Sequence, residues 1–176
     1  MSSPAMTCSE HDSLEHAARL LWENDCGALA VVGDDGAVHA VITDRDVCMG
    51  AYTRGARLAD LAVAGSMSKE LAVCREGDDV LVAASSMQKH RVRRLPVVDG
   101  KGAPIGMISL GDLTRVALKD AQIGREMLQT MATICARPPR SQQASAAPVV
   151  APVVAATTRQ PVVLEPVSTR TLSSKS

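Results

Sequence analysis

Val41-Ile42-Thr43-Asp44-Arg45-Asp46 decides how this chain is read, because it returns 66 positions later as Met107-Ile108-Ser109-Leu110-Gly111-Asp112. In each copy a short apolar run ends at a hydroxyl residue, and a carboxylate follows three positions on. Thr43 answers to Ser109, and Asp46 to Asp112. A hydroxyl with an acid at i+3 is a helix-cap pattern, so each copy reads as a strand running into a helix. The same offset carries Leu14, Ala17, Ala18 and Leu21 onto Val80, Ala83, Ala84 and Met87, an apolar face at helical spacing. It also carries Leu29, Val31 and Val32 onto Leu95, Val97 and Val98, Gly36-Ala37 onto Gly102-Ala103, and Cys8 onto Cys74. Roughly fifty positions align without a gap, so the repeated unit is a folded one: strand, helix, hairpin, helix.

Within the first copy, Asp12-Ser13-Leu14-Glu15 reads as a capping box with Asp12 as the cap, and Gly27 ends the helix that follows. Leu29 to Val32 and Val38 to Ile42 form a hairpin around the turn Gly33-Asp34-Asp35-Gly36. A second helix starts at Thr43 and stops before Gly55. The expected organisation is repeat one over 7–55, a linker over 56–72, repeat two over 73–120, a helix over 121–137 and a tail over 138–176. Leu58-Ala59-Asp60-Leu61-Ala62 in the linker predicts a short helix. Helical patterning persists from Val116 to Ala136, with Ile123, Met127, Leu128, Met131 and Ile134 on one side, until Pro138-Pro139 stops it. The tail is rich in Ala, Pro, Val, Ser and Thr; prolines at that density deny it a helix or a ladder, so disorder is expected. The offset places Met1-Ser2 on Met67-Ser68, so the lead-in preceding repeat two has no counterpart before repeat one. A shortened end or an upstream start would each account for that.

Composition narrows the function. Hydrophobic residues make up 46% of the 176, yet aromatics only 1%, so the core must be aliphatic. Lys plus Arg equal Asp plus Glu at 19 each. A neutral chain with one Trp, one Tyr and no Phe is short of both the field and the platforms that nucleic-acid binding uses. Five cysteines form no C-x-x-C pair, which predicts a reduced, cytoplasmic setting, and no apolar run reaches the length of a membrane span. The four histidines show no metal-ligand spacing, and no nucleophile elbow or phosphate-binding loop is present, so catalysis and metal sites find no support. Trp22 reads as a half-buried core or interface residue.

The repeat resembles the cystathionine-β-synthase (CBS) domain, and the two copies together resemble a CBS pair, or Bateman module. The likeness rests on Cys26-Gly27-Ala28-Leu29-Ala30-Val31-Val32 with Val38 to Asp46, and on Val92-Arg93-Arg94-Leu95-Pro96-Val97-Val98-Asp99 with Pro104 to Asp112. It covers about residues 7–120 and is similar in layout to small stand-alone bacterial members. The resemblance implies an α/β (α+β) fold of tandem repeats packed sheet to sheet about a pseudo-twofold axis, with two clefts between them. It also implies a homodimer, and a regulatory module rather than an enzyme. In the family such clefts commonly take adenosine-containing ligands: AMP, ADP, ATP or S-adenosylmethionine. No cofactor is required. A ligand-free module for dimerisation or for binding an unknown protein partner is the alternative.

The chemistry of the motif suits a ribose: a carboxylate at the first turn of a helix can accept from two vicinal hydroxyls, as an acid does in dinucleotide folds. Thr43 with Asp46, and Ser109 with Asp112, are the ribose candidates. The resemblance assigns Arg45, Arg93 and Arg94 to phosphates, although strand alternation would send Arg93 and Arg94 to opposite faces. Arg91 reads as a solvated edge. Gly106 allows close backbone approach, where its counterpart Ala40 departs from the family's glycine, so the second copy is the favoured site. Adenine would lie between aliphatic chains, with Ile42 and Ile108 as neighbours. Helix capping alone accounts for both hydroxyl-acid pairs equally well.

Overall fold

Short entry strands and the two hairpins assemble into a pair of three-stranded sheets. In the computed structural model, which describes residues 1, 3–119 and 121–136, β1 (Thr7–Ser9) pairs in parallel with β2 (Ala28–Val32), and β2 pairs antiparallel with β3 (Val38–Thr43). The second sheet repeats this with β4 (Cys74–Arg75), β5 (Arg94–Val98) and β6 (Pro104–Ser109), down to the same register break, at Val31/Val32 and at Val97/Val98. The helices α1 (Leu14–Glu23) and α2 (Asp44–Arg54) belong to the first repeat. In the second, α3 (Val80–His90) and α4 (Leu110–Ala117) answer to them, and α5 (Ala121–Cys135) is added. No described helix is long and apolar enough to cross a membrane. The tail expected to be disordered lies outside the described residues.

Strand alternation sorts the side chains into three cores. Leu29, Val31, Ala40 and Ile42 face α1 and α2, where they meet Leu14, Ala17, Leu21 and Val47. Leu95 and Val97 face Ala83, Ala84, Met87 and Leu113 in the same way. The opposite sheet faces meet each other through Ala28, Ala30, Val38, Val98 and Met107. The alanines there leave room for the second sheet to approach, and the amide of Val38 donates to the Gly102 carbonyl at 3.0 Å across the seam.

Several local expectations are corrected. The cap of α1 is Ser13, whose hydroxyl accepts from the His16 amide at 3.2 Å; Asp12 instead accepts from the Ser9 amide at 2.8 Å and ties down the end of β1. The second repeat divides the work identically, Asp78 holding the Arg75 amide and Asp79 capping α3. Helix α1 stops at Glu23, short of Gly27, because Asp25 enters the left-handed region at φ 46°. The stretch expected to run as one helical pattern from Val116 is two helices, α4 and α5. On α5, Met127 and Thr130 are buried against α3 and α4, while Leu128 points outward. Trp22 is 87% exposed, because it follows Leu21 by about 100° around the helix and so leaves the core face. The linker forms two single 3-10 turns, Leu58–Asp60 and Val63–Gly65, and contributes Leu61 and Val63 to the first core.

Two outcomes test this packing. Burial pushes the thiols of Cys8 and Cys74 up to about 12 and about 11, with Asp12 and Asp78 adding to it, whereas Cys48 and Cys135 are exposed. Iodoacetamide at neutral pH should therefore modify Cys48 and Cys135 in the native protein, and Cys8 and Cys74 only after unfolding, as read by peptide mass spectrometry. Ala30→Leu should overfill the seam and cost about 1–3 kcal/mol in urea unfolding; an unchanged midpoint would show that the sheets are not in contact there.

Candidate functional site: the cleft between the repeats

Thr43 and Asp46 are placed by the junction of β3 and α2. The Thr43 amide and hydroxyl both donate to Asp46 Oδ2, at 2.9 and 2.6 Å, and the Asp46 amide donates back to Thr43 Oγ1 at 3.3 Å. Ser109 and Asp112 repeat the box at the start of α4 with distances of 2.9, 2.6 and 3.2 Å. Capping therefore occupies one carboxylate oxygen in each copy and leaves Oδ1 over.

The two leftover oxygens differ. Asp112 Oδ1 is held by the Arg115 guanidinium at 2.9 Å and the Met1 ammonium at 3.1 Å. Among the described residues, Asp46 Oδ1 has no such partner, and Asp46 lines a cleft of about 280 Å³ between the repeats. One wall of this cleft is Val41, Thr43, Asp44, Arg45 and Asp46; the other is His90, Arg91, Val92, Arg93 and Arg94. Ser68, Glu70 and Ala72 of the linker close it. Ser68 ties that segment to the outer edge of β3, its amide donating to the Val41 carbonyl at 2.9 Å and its hydroxyl accepting from the Val41 amide at 3.0 Å. Asp44 and Asp46, with Arg45 between them, thus face Arg91, Arg93 and Arg94, and among the described residues no ion pair engages Arg45, Arg93 or Arg94.

This geometry regroups the residues expected from sequence. Arg93 and Arg94 do not join the second copy of the motif: they cross to the first, because the sheets pack face to face and bring the start of β5 to the end of β3. Both line the same cleft, since Arg93 precedes the regular strand and its carbonyl is taken by the Leu110 amide at 2.9 Å. Arg91 also lines the cleft, at the left-handed end of α3, with its guanidinium donating to the Ala136 carbonyl at 2.6 Å. Ile42 does not line the cleft: Val41 and Thr43 take the cleft face of β3, and Ile42, between them, is wholly buried in the first core. Ile108 packs on the second core, and Gly106 is buried within β6 opposite Val97, away from the cleft. No motif marks Ser68, Glu70 and Ala72 in the sequence beyond the alignment of Ser2 with Ser68.

The Asp112 box carries a pH signature. Burial pushes that carboxyl up, but the bonds from the Ser109 hydroxyl and amide, with the Met1 ammonium, outweigh it and hold the group below its ordinary 3.8. Its stabilising share is therefore complete above 3.8 and lost as pH falls through the lower folded-state value. Ser109→Ala should cost about 0.5–2 kcal/mol at neutral pH, and the gap between wild type and variant in urea midpoint should narrow on acidification. A gap that stays constant into the acid range would contradict this account.

Comparison with known proteins agrees with the repeat. The CBS domain profile matches residues 1–50 and 59–119. The chain is 32% identical over 113 residues to CBS domain-containing protein YhcV of Bacillus subtilis, covering 64% of this chain and 79% of that protein. A solved CBS-domain protein of Burkholderia ambifaria is 29% identical with a TM-score of 0.59, over 67% of this chain and 85% of that one. A CBS domain protein of Pyrobaculum aerophilum, solved in complex with AMP, shares the fold at 24% identity and a TM-score of 0.61, over 69% of this chain and 95% of that one. Two matched segments, two sheets of the same strand order and pairing, and a doubled hydroxyl-acid cap make one conclusion: this chain belongs to the CBS-domain family, as a tandem pair.

Proposed function

We propose that this protein is a regulatory module that binds an adenosine-containing nucleotide in the cleft between its repeats and transmits occupancy to a partner protein. One observation carries the reading: Asp46, whose Oδ1 has no partner among the described residues, lines the same cleft as Arg93 and Arg94, on the opposite wall. A polyol is recognised by the first and an anion by the second, and a nucleotide carries both. Val41, Ala72 and Val92 supply apolar surface for the base, the role first given to Ile42 and Ile108. Arg45 adds a further cation from the wall that carries Asp46. AMP, ADP, ATP and S-adenosylmethionine are the candidate ligands. The reading is one of binding rather than catalysis, by a homodimer in the cytoplasm.

Occupancy regulates only if the ligand prefers one arrangement of the repeats over another. The cleft is suited to that, since its walls come from different repeats and a ligand bridging them favours the closed arrangement. Calorimetric titration with each of the four ligands tests the reading. At least one should bind, and Asp46→Ala should weaken it about tenfold or more, whereas Asp112→Ala should leave affinity within about threefold, its free oxygen being already engaged. Absence of heat and of any thermal shift with all four ligands at millimolar concentration would reject the nucleotide.

A further inference from the structure

Repeat two opens β5 with Arg93-Arg94, and the 66-residue offset places Gly27-Ala28 at the same positions of repeat one. Repeat one therefore has no guanidinium pair to answer Arg93-Arg94. Gly27 does more than lack a side chain. A Cβ built there would stand 2.8 Å from Arg94 Nη2, 3.2 Å from Cζ and 3.4 Å from Nη1. The guanidinium thus lies against the bare Cα of the opposite repeat. The backbone at Gly27 is outside the left-handed region, so the glycine serves space rather than conformation. Arg94 lies at the boundary of the ligand cleft and a second groove beside α1, for it lines both, and Gly27 lines the second together with Leu21, Trp22, Asp25 and Val47.

We propose that Gly27 is a positioning residue: it seats the Arg94 guanidinium at the edge of the cleft and so sets the preference of the site for ligands that carry a phosphate. This rests on the nucleotide reading above but concerns only its anionic end. A methyl group at position 27 meets the mobile end of a side chain, not backbone. Gly27→Ala therefore moves Arg94 while the fold stays intact. The selectivity of repeat two's arginine is held by a glycine of repeat one.

The test is calorimetry with AMP, adenosine and inorganic pyrophosphate on wild type, Gly27→Ala, Arg94→Ala and the double variant, with melting curves for each. Wild type should bind AMP about tenfold tighter than adenosine. Gly27→Ala should shrink that ratio to within about threefold and leave adenosine affinity and melting temperature unchanged. In the Arg94→Ala background, Gly27→Ala should have no further effect, since the residue through which it acts is gone. An unchanged ratio in Gly27→Ala, equal weakening of adenosine and AMP, a second loss in the Arg94→Ala background, or a collapse of thermal stability would each overturn the proposal. Pyrophosphate separates it from the nucleotide reading. If neither nucleoside nor nucleotide binds, but pyrophosphate binds and is weakened by Gly27→Ala, the seat stands and the nucleotide falls. If pyrophosphate also binds equally to both, or to neither, both fall.

Discussion

The apolar seam between the two sheets is the constraint on which the molecule depends. Ala28 and Ala30 of β2 meet Val98 and Met107 across it, and their small size sets how closely the sheets approach. Each sheet has only three strands and already spends its other face on helices. A three-stranded sheet with one uncovered apolar face is a marginal structure by itself. Joining the repeats removes both uncovered faces at once, and it also brings the start of β5 to the end of β3. The cleft follows from the same contact that completes the core.

A second economy lies in the caps. At the start of α2, Asp46 Oδ2 accepts from the Thr43 amide and hydroxyl and Thr43 Oγ1 accepts from the Asp46 amide, which leaves Asp46 Oδ1 over on a residue that lines the cleft. Stability and recognition are therefore not competing explanations of Thr43 and Asp46, because each uses a different atom. The same pair at Ser109 and Asp112 shows what happens when the second oxygen is also engaged, by Arg115 and the Met1 ammonium. The repeats thus share a fold but not an electrostatic environment. The asymmetry runs further: α5 lies on α3 and α4, while among the described residues no equivalent helix covers α1 and α2.

Most of the fold was legible along the chain because its determinants are local. The apolar spacing of Leu14, Ala17 and Leu21 marks a helix face, the turns at Gly36 and Gly102 mark hairpins, and the hydroxyl-acid pairs mark helix starts. Local departures are small, as with Ser13 in place of Asp12, the end of α1 at Glu23 a few residues before Gly27, or Trp22 one step around a helix. Two adjacent polar residues can each cap, and only the path of β1 decides which one does. The short strand at Cys74–Arg75 and the break between α4 and α5 are set by packing rather than by propensity.

The site was legible in part, for a different reason. That Thr43, Asp46, Arg93 and Arg94 carry chemistry could be read from residue type and from the repeat. Which acid would face which arginine could not, since they are separated by about half a repeat pair and meet only through the twofold relation of the sheets. Strand alternation, a local rule, was enough to remove Ile42 from the cleft once the cleft face of β3 was known, but not to say which face that was. Sequence alone determined the repeated unit, its helix starts and its aliphatic core, because these rest on neighbours within a few residues. Only the tertiary structure decided that Gly27 and Arg94 touch, that the linker closes the cleft through Ser68, and that the first carboxylate rather than the second is open. Those contacts depend on how two separately specified faces come together.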